Sequence, residues 1–174
     1  LPDSLDGLAY CPGSIELKPF HRISPEAFVD DFQLQVNGAV KVIQSALSRL
    51  KASTEQPAIL LFSTAAVQSG YNYHSLVASS KGALEGLARA LAAEFAPDIR
   101  VNCIAPSLTD TPLAAPLLNS EKKREANAER HPLKRLGTPG DIADMAEYLL
   151  SPKAGWITGQ VLHVDGGIST VNAS

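Results

Sequence analysis

The sequence predicts an α/β protein built on a doubly wound parallel sheet with helices on both faces. Short apolar runs alternate along the chain with longer segments of helical pattern, which is the order of parallel strands and their crossover helices. These runs are continuously apolar, as in Ala58–Ser63 (AILLFS), and a strand buried on both faces has this composition. No internal repeat or low-complexity tract indicates a different architecture.

The first elements follow from local signals. Gly7–Cys11 (GLAYC), closed by Pro12-Gly13, predicts a buried strand and its turn. Ser24 is a good N-cap for a helix, because proline and glutamate follow it at the first helical positions. This helix is expected to run from Pro25 to about Lys51, with a bend near Asn37-Gly38. Ala58–Ser63 is the second predicted strand.

The second half of the chain continues the alternation. A long helix is predicted from Tyr73 to about Phe95, followed by a strand over Ile99–Ile104. Thr111–Arg130 is expected to be a mobile segment with a polar helix in its second half. A helix starts at Thr138 and reaches about Leu150, and Gln160–Val164 is the final predicted strand.

Composition excludes several classes of function. A length of 174 residues fits one domain that buries roughly 70% of its unfolded surface. The net charge of −3 and the lack of a Lys/Arg cluster argue against nucleic-acid or anionic-membrane partners. No apolar run approaches the ~20 residues of a membrane span and no signal peptide is visible, so a cytoplasmic protein is expected. Cys11 and Cys103 are expected to be buried free thiols. His21, His131 and His163 lack metal-ligand spacing, so no metal is expected.

A lysine at the start of the second long helix carries a family resemblance. Lys81 lies in the small-residue run ASSKGA, and the predicted strand Arg100–Pro106 (RVNCIAP) follows. This arrangement resembles the short-chain dehydrogenase/reductase family, whose signature is Tyr-x-x-x-Lys. The block Arg135–Gly167, which ends in WITGQVLHVDGG, resembles the family's closing segment almost residue for residue. The resemblance implies a Rossmann-type fold and hydride transfer between NAD or NADP and a small-molecule carbonyl, alcohol or activated enoyl substrate.

The family's proton donor is missing from its usual place. Val77 stands four residues before Lys81, where the family has tyrosine, and valine cannot donate a proton. The resemblance assigns ribose binding to Lys81, the ordering of a relay water to Asn37, and orientation of the substrate carbonyl to Thr64. His74, seven residues before Lys81, occupies the position of the tyrosine in the enoyl-reductase branch. Its offset of ~20° around a helix would place it on the lysine's face, so it is the candidate donor.

The same side chains also have structural interpretations. Lys81 could be a solvated helix lysine, His74 a helix-start residue, Thr64 a strand-end hydroxyl, and the asparagine a partner for a helix bend. Two nearby tyrosines are less favoured as donors. Tyr73 lies about 100° round the predicted helix, and Tyr71 is expected to precede it.

The resemblance also implies a set of cofactor-binding residues. Gly13 keeps the glycine of the family's Asn-Asn-Ala-Gly turn. Pro106, Thr109 and Thr111 lie in APSLTDTPL, at the place of the family's Pro-Gly-x-x-x-Thr loop, whose threonine binds the nicotinamide carboxamide. Lys81 completes this set, and Ser107 replaces the family's glycine.

No glycine-rich phosphate loop occurs among the twelve glycines. Residues 1–174 are therefore expected to be a single domain that forms the C-terminal part of the Rossmann-type fold, with the first strands and the loop missing. Gly7–Cys11 would then expose an apolar edge and favour assembly or aggregation. The family commonly forms homodimers and homotetramers through the two long helices and the C-terminal strand. The alternative to an oxidoreductase is a catalytically inactive protein that keeps the fold for binding or assembly. The segment Pro112–Arg130 is expected to form a lid, and its sequence indicates no substrate class.

Overall fold

The computed structural model describes residues 2–172 and contains a four-stranded parallel sheet. The strands lie in the order β1-β2-β3-β4, which is also their order along the chain. Their bounds are β1 Gly7–Tyr10, β2 Ala58–Phe62, β3 Arg100–Pro106 and β4 Val161–Val164. The parallel pairing confirms the predicted class of sheet, and each strand lies within two residues of its predicted place.

Six α-helices connect and cover the described strands. α2 follows α1 after one π-helical turn, and a 3-10 turn precedes α5. The bounds are α1 Pro25–Phe32, α2 Gly38–Lys51, α3 Ala66–Ser69, α4 Ser75–Phe95, α5 Glu121–Glu129 and α6 Pro139–Leu150, with the π turn at Gln33–Asn37 and the 3-10 turn at Pro112–Leu117. Within residues 2–172, no helix is long and apolar enough to cross a bilayer.

The hydrophobic core lies on both faces of the sheet. Ile59 and Leu61 of β2 pack on one face, in a cluster with apolar residues of α2 and α4. Leu60, the residue between them, packs on the other face with Leu149 of α6. Alternate residues of one strand point to opposite faces, so a continuously apolar strand requires helices on both sides. This confirms the doubly wound arrangement.

The expected bend in the first long helix is the π turn at Gln33–Asn37. The N–H of Gly38 donates to the carbonyl of Gln33, five residues back, and the Leu34 carbonyl accepts from the Tyr10 hydroxyl at 2.6 Å. A Cβ at Gly38 would lie 2.1 Å from the Tyr10 oxygen, so any larger residue would displace the tyrosine from this contact. A tyrosine at the end of β1 thus supports the distortion of the helix that packs beside it.

Side chains close both ends of α6. Thr138 accepts from the N–H of Asp141, and the Asp141 carboxylate accepts from the N–H of Thr138, which forms a capping box. At the other end, the buried Arg100 guanidinium donates to the carbonyls of Leu149 and Ser151 at 2.8 and 3.1 Å. The predicted start of this helix at Thr138 is confirmed.

Three local predictions are wrong. β1 was expected to be buried, but of its four residues only Tyr10 is, because β1 is an edge strand of the sheet. The helix expected from Tyr73 begins at Ser75, because Tyr73 adopts a positive φ of 68° and His74 is the N-cap residue. Cys11 was expected to be buried, but it follows β1 and is exposed, whereas Cys103 inside β3 is buried.

Candidate active site

A cavity of about 910 Å³ opens where β1, β2 and β3 end. Ligands of open parallel sheets bind at this carboxyl edge. The walls come mainly from the segments that follow these three strands, from the first turns of α4, and from one side of α6. Residues of the segment 112–130, which we call the lid, complete them. Seven of the eight predicted site residues line this cavity: Gly13, Thr64, His74, Lys81, Pro106, Thr109 and Thr111.

Lys81 is a buried cation at the base of the cavity. Its side chain belongs to a residue only 8% exposed, which contradicts the interpretation as a solvated helix lysine. Nζ donates to the carbonyl of Phe62, the last residue of β2, at 2.9 Å. Burial lowers the pKa of Lys81, and the nearby Asp31 carboxylate acts in the opposite direction.

Two buried polar side chains of the first long helix, Asp31 and Gln35, lie close to Lys81 of α4. Gln35 donates to both oxygens of Asp31, at 2.9 and 2.8 Å, while its own Oε1 is buried and has no partner among the described residues. A Cβ at Gly13 would lie 3.3 Å from Lys81 Nζ and 3.6 Å from Gln35 Oε1. The glycine therefore leaves a small space that both polar atoms face. No motif in the sequence singled out this pair, although their spacing of four residues places them on one helix face.

Asn37 is the one predicted site residue that does not line the cavity. Its amide donates to the Gln33 side chain at 2.9 Å, on the more exposed side of the π turn. The structure therefore does not bring the Asn37 side chain together with Lys81, and Gln35 and Asp31 are the polar groups that lie there.

The position of the family's acid is apolar, and two other groups lie near it. Val77 is 5% exposed and lines the cavity. His74 lines it too, and its Nδ1 lies 2.8 Å from the Asn72 carbonyl. A carbonyl only accepts, so Nδ1 carries a proton, and Nε2 is the atom that can release a proton from the imidazolium or accept one. His74 is not within a helix, so the face argument from helical spacing does not hold, but the histidine still reaches the cavity.

Tyr71 also lines the cavity, and sequence reasoning passed over it because it precedes the helix. Its ring packs edge-to-face on His74, with centroids 5.5 Å apart. Its hydroxyl oxygen is buried and has no hydrogen-bond partner in the described part of the chain. A buried hydroxyl without a partner is costly, so this oxygen is a candidate to meet a ligand or a water.

The hydroxyls of Thr64 and Thr111 have partial structural roles. Thr64 Oγ1 accepts from the N–H of Ala66 at 3.3 Å, so its own proton remains available to a substrate carbonyl. Thr111 Oγ1 accepts from the N–H of Ala114 at 3.3 Å and caps the 3-10 turn of the lid.

A serine–histidine contact joins the end of β3 to the end of the lid. His131 is buried, with Nδ1 2.8 Å from the Asn127 carbonyl and Nε2 2.8 Å from the Ser107 hydroxyl. The carbonyl fixes the proton on Nδ1 of the neutral ring, so Ser107 donates to Nε2. Both side chains line the cavity, and no spacing in the sequence pointed to their contact.

Comparisons with known proteins agree with this architecture. A family model described as enoyl-(acyl carrier protein) reductase matches residues 2–169. A tropinone reductase homolog of Arabidopsis thaliana is 38% identical over 92% of this chain and 61% of its own length. L-xylulose reductase of Bos taurus is 32% identical over 87% of this chain and 62% of its own length. The chain thus spans about three-fifths of the length of these relatives.

Solved structures give the same fold. A short-chain dehydrogenase/reductase from Brucella melitensis superposes with a TM-score of 0.88 at 30% identity, covering 97% of this chain and 66% of that one. Aldohexose dehydrogenase of Thermoplasma acidophilum gives a TM-score of 0.90 at 27% identity, covering 98% and 71%. The fold defines a Rossmann-type α/β protein. The chain belongs to the short-chain dehydrogenase/reductase family.

Proposed function

We propose that this chain carries the catalytic residues of an NAD(P)-dependent oxidoreductase acting on a carbonyl, an alcohol or an activated enoyl group. The observation that supports the proposal is the single cavity that contains Lys81, Thr64 and His74 together with the predicted cofactor positions. The buried Lys81 beside Gly13 fits the ribose and nicotinamide end of the cofactor, because the missing Cβ leaves room next to the ammonium group. When bound, the nicotinamide supplies or accepts the hydride.

The protein's own groups would handle the proton and the substrate oxygen. In the reducing direction the carbonyl oxygen gains negative charge and must receive a proton. The Thr64 hydroxyl orients that oxygen, the Lys81 ammonium stabilises its charge, and His74 donates the proton from Nε2. Tyr71 is the second candidate for the donor, since its buried hydroxyl has no partner in the described structure and its ring contacts His74.

The full-length protein tests this proposal. NADH or NADPH should raise its melting temperature, and His74→Ala should lower turnover across a carbonyl panel by about 10²–10⁴-fold. Tyr71→Phe is the matched variant, because it keeps the ring against His74 and removes only the hydroxyl. Loss of turnover in Tyr71→Phe but not in His74→Ala would identify the Tyr71 hydroxyl as the proton donor. No stabilisation by either cofactor would refute the oxidoreductase proposal.

Val77 stands where the family has its catalytic tyrosine, and this favours one alternative function. The alternative is a protein of this fold that has no catalytic activity and serves binding or assembly. Four large apolar side chains are exposed along the first long helix and its π turn: Val29, Phe32, Leu34 and Val42. Such a surface suits contact with a second copy, so we propose a homodimer or homotetramer for either function. Light scattering of the full-length protein measures this, and a monomer at micromolar concentration would contradict it.

A further inference from the structure

We propose that the substrate is an amphipathic anion, that is, an apolar molecule carrying a carboxylate or phosphate group that the lid binds. This inference rests on the proposed function. In the described part of the chain, three cations line the cavity, Lys81, Lys123 and Arg130, and no aspartate or glutamate does. The whole chain has 18 acidic residues and a net charge of −3, so the positive cavity contrasts with the rest of the protein.

The two lid cations have only neutral partners within residues 2–172. Lys123 Nζ donates to the side-chain oxygen of Asn119 at 2.9 Å, and Arg130 donates to that of Asn127 at 3.4 Å. Two neighbouring cations have acidic partners instead: Arg124 pairs with Asp110, and Lys134 pairs with Glu129. An amide leaves the positive charge uncompensated, so Lys123 and Arg130 are free to bind an anion. Arg130 is the C-cap residue of α5 and keeps a helical backbone. Its separation of seven residues from Lys123, two helical turns, therefore places the two cations on the same side.

Arg130 lies close to the candidate proton donors. Its guanidinium carbon is 5.4 Å from the centroid of the Tyr71 ring, which itself packs on His74. Arg130 is exposed as a residue, and the stacking on Tyr71 holds its guanidinium at the edge of the cavity. The anionic group of the substrate would therefore bind on the lid side of the reacting carbon.

Apart from Asn127, the remaining lid residues that line the cavity are apolar. Leu108, Leu113 and Leu117 line the cavity from the segment after β3 and from the 3-10 turn, and Ile168 joins them from the segment after β4. A small polar substrate would leave these side chains against water. An acid with an apolar body satisfies both parts of the wall, with its charge at Lys123 and Arg130 and its chain against the leucines.

The cofactor is also an anion, so the test separates the two sources of negative charge. Titration calorimetry on the full-length protein measures binding of decanoate, decyl phosphate and the uncharged decanol, and in a second arm binding of NADPH. At least one of the two anions should bind ten- to a hundredfold more tightly than decanol. Lys123→Gln and Arg130→Gln should each remove most of this difference and leave the affinity for NADPH within twofold.

Lys122→Gln is the matched control, because Lys122 is exposed on the same helix, loses the same charge, and does not line the cavity. It should leave all four affinities within twofold. Equal binding of decanol and both anions, or an equal loss in Lys122→Gln, would overturn the inference. So would a loss confined to NADPH, which would assign the lid cations to the cofactor. Binding is measured without turnover, so an inactive protein that still prefers the anions would refute only the proposed function.

Discussion

Placing a tyrosine at position 77 tests whether His74 has replaced the family's proton donor. Val77 is one helical turn before Lys81 and lines the cavity, so a phenol there would enter the cavity rather than the core. His74→Ala should lower kcat/KM by about 10²–10⁴-fold, which is roughly 3–5 kcal/mol of transition-state stabilisation. Adding Val77→Tyr to that variant restores the spacing Tyr-x-x-x-Lys. The double variant should recover at least ~10-fold of the lost activity.

The assay is oxidation of NADPH by the full-length protein with the best carbonyl of the panel. Val77→Phe in the His74→Ala background controls for the bulk of the ring and should not recover activity. Wild-type kcat/KM in His74→Ala, or equal recovery with phenylalanine, would refute the reasoning.

Three further predictions concern stability and thiol chemistry. Tyr10→Phe removes the donor to the Leu34 carbonyl in the π turn and should lower the free energy of unfolding by about 1–3 kcal/mol, measured with urea; an unchanged midpoint would contradict this. Burial lowers the pKa of Lys81, so between that lowered pKa and its ordinary 10.5 the unfolded chain binds more protons than the folded one. The stability of the wild type relative to Lys81→Met should therefore rise as pH increases towards 10.5, and a constant or falling difference in urea titrations would refute the assignment. Iodoacetamide should label the exposed Cys11 in the native protein and leave Cys103 unmodified, because burial raises the pKa of Cys103 to about 12; peptide mass spectrometry reads the outcome, and labelling of both thiols would contradict it.

Most of the fold could be predicted because its signals are local. The apolar runs of β2 and β3 identify strands buried on both faces, and Ser24 and Thr138 mark the helix starts that the structure confirms. The start of α4 was predicted two residues early. Tyr73 adopts a left-handed backbone conformation there, which a tyrosine side chain does not predict.

The candidate site was harder to predict because its contacts join distant parts of the chain. The Tyr10 hydroxyl supports a π turn that begins more than twenty residues later, and His131 reaches Ser107 from the end of the lid. Lys81 was found through its motif. Gln35 has no motif, and its place near Lys81 depends on how the π turn packs against α4. A sequence pattern fixes which residue types are present, but tertiary packing decides which buried groups meet.

Isotope transfer tests the central claim most directly. The full-length protein is incubated with NADPH or NADH carrying deuterium at the transferred position, together with the best substrate of the panel, and the product is analysed by mass spectrometry. The proposed hydride transfer predicts a product that gains one deuterium, with much less of it formed in His74→Ala. A product without deuterium from either face of the nicotinamide, or no product with either cofactor, would contradict the assignment of this cavity to an oxidoreductase.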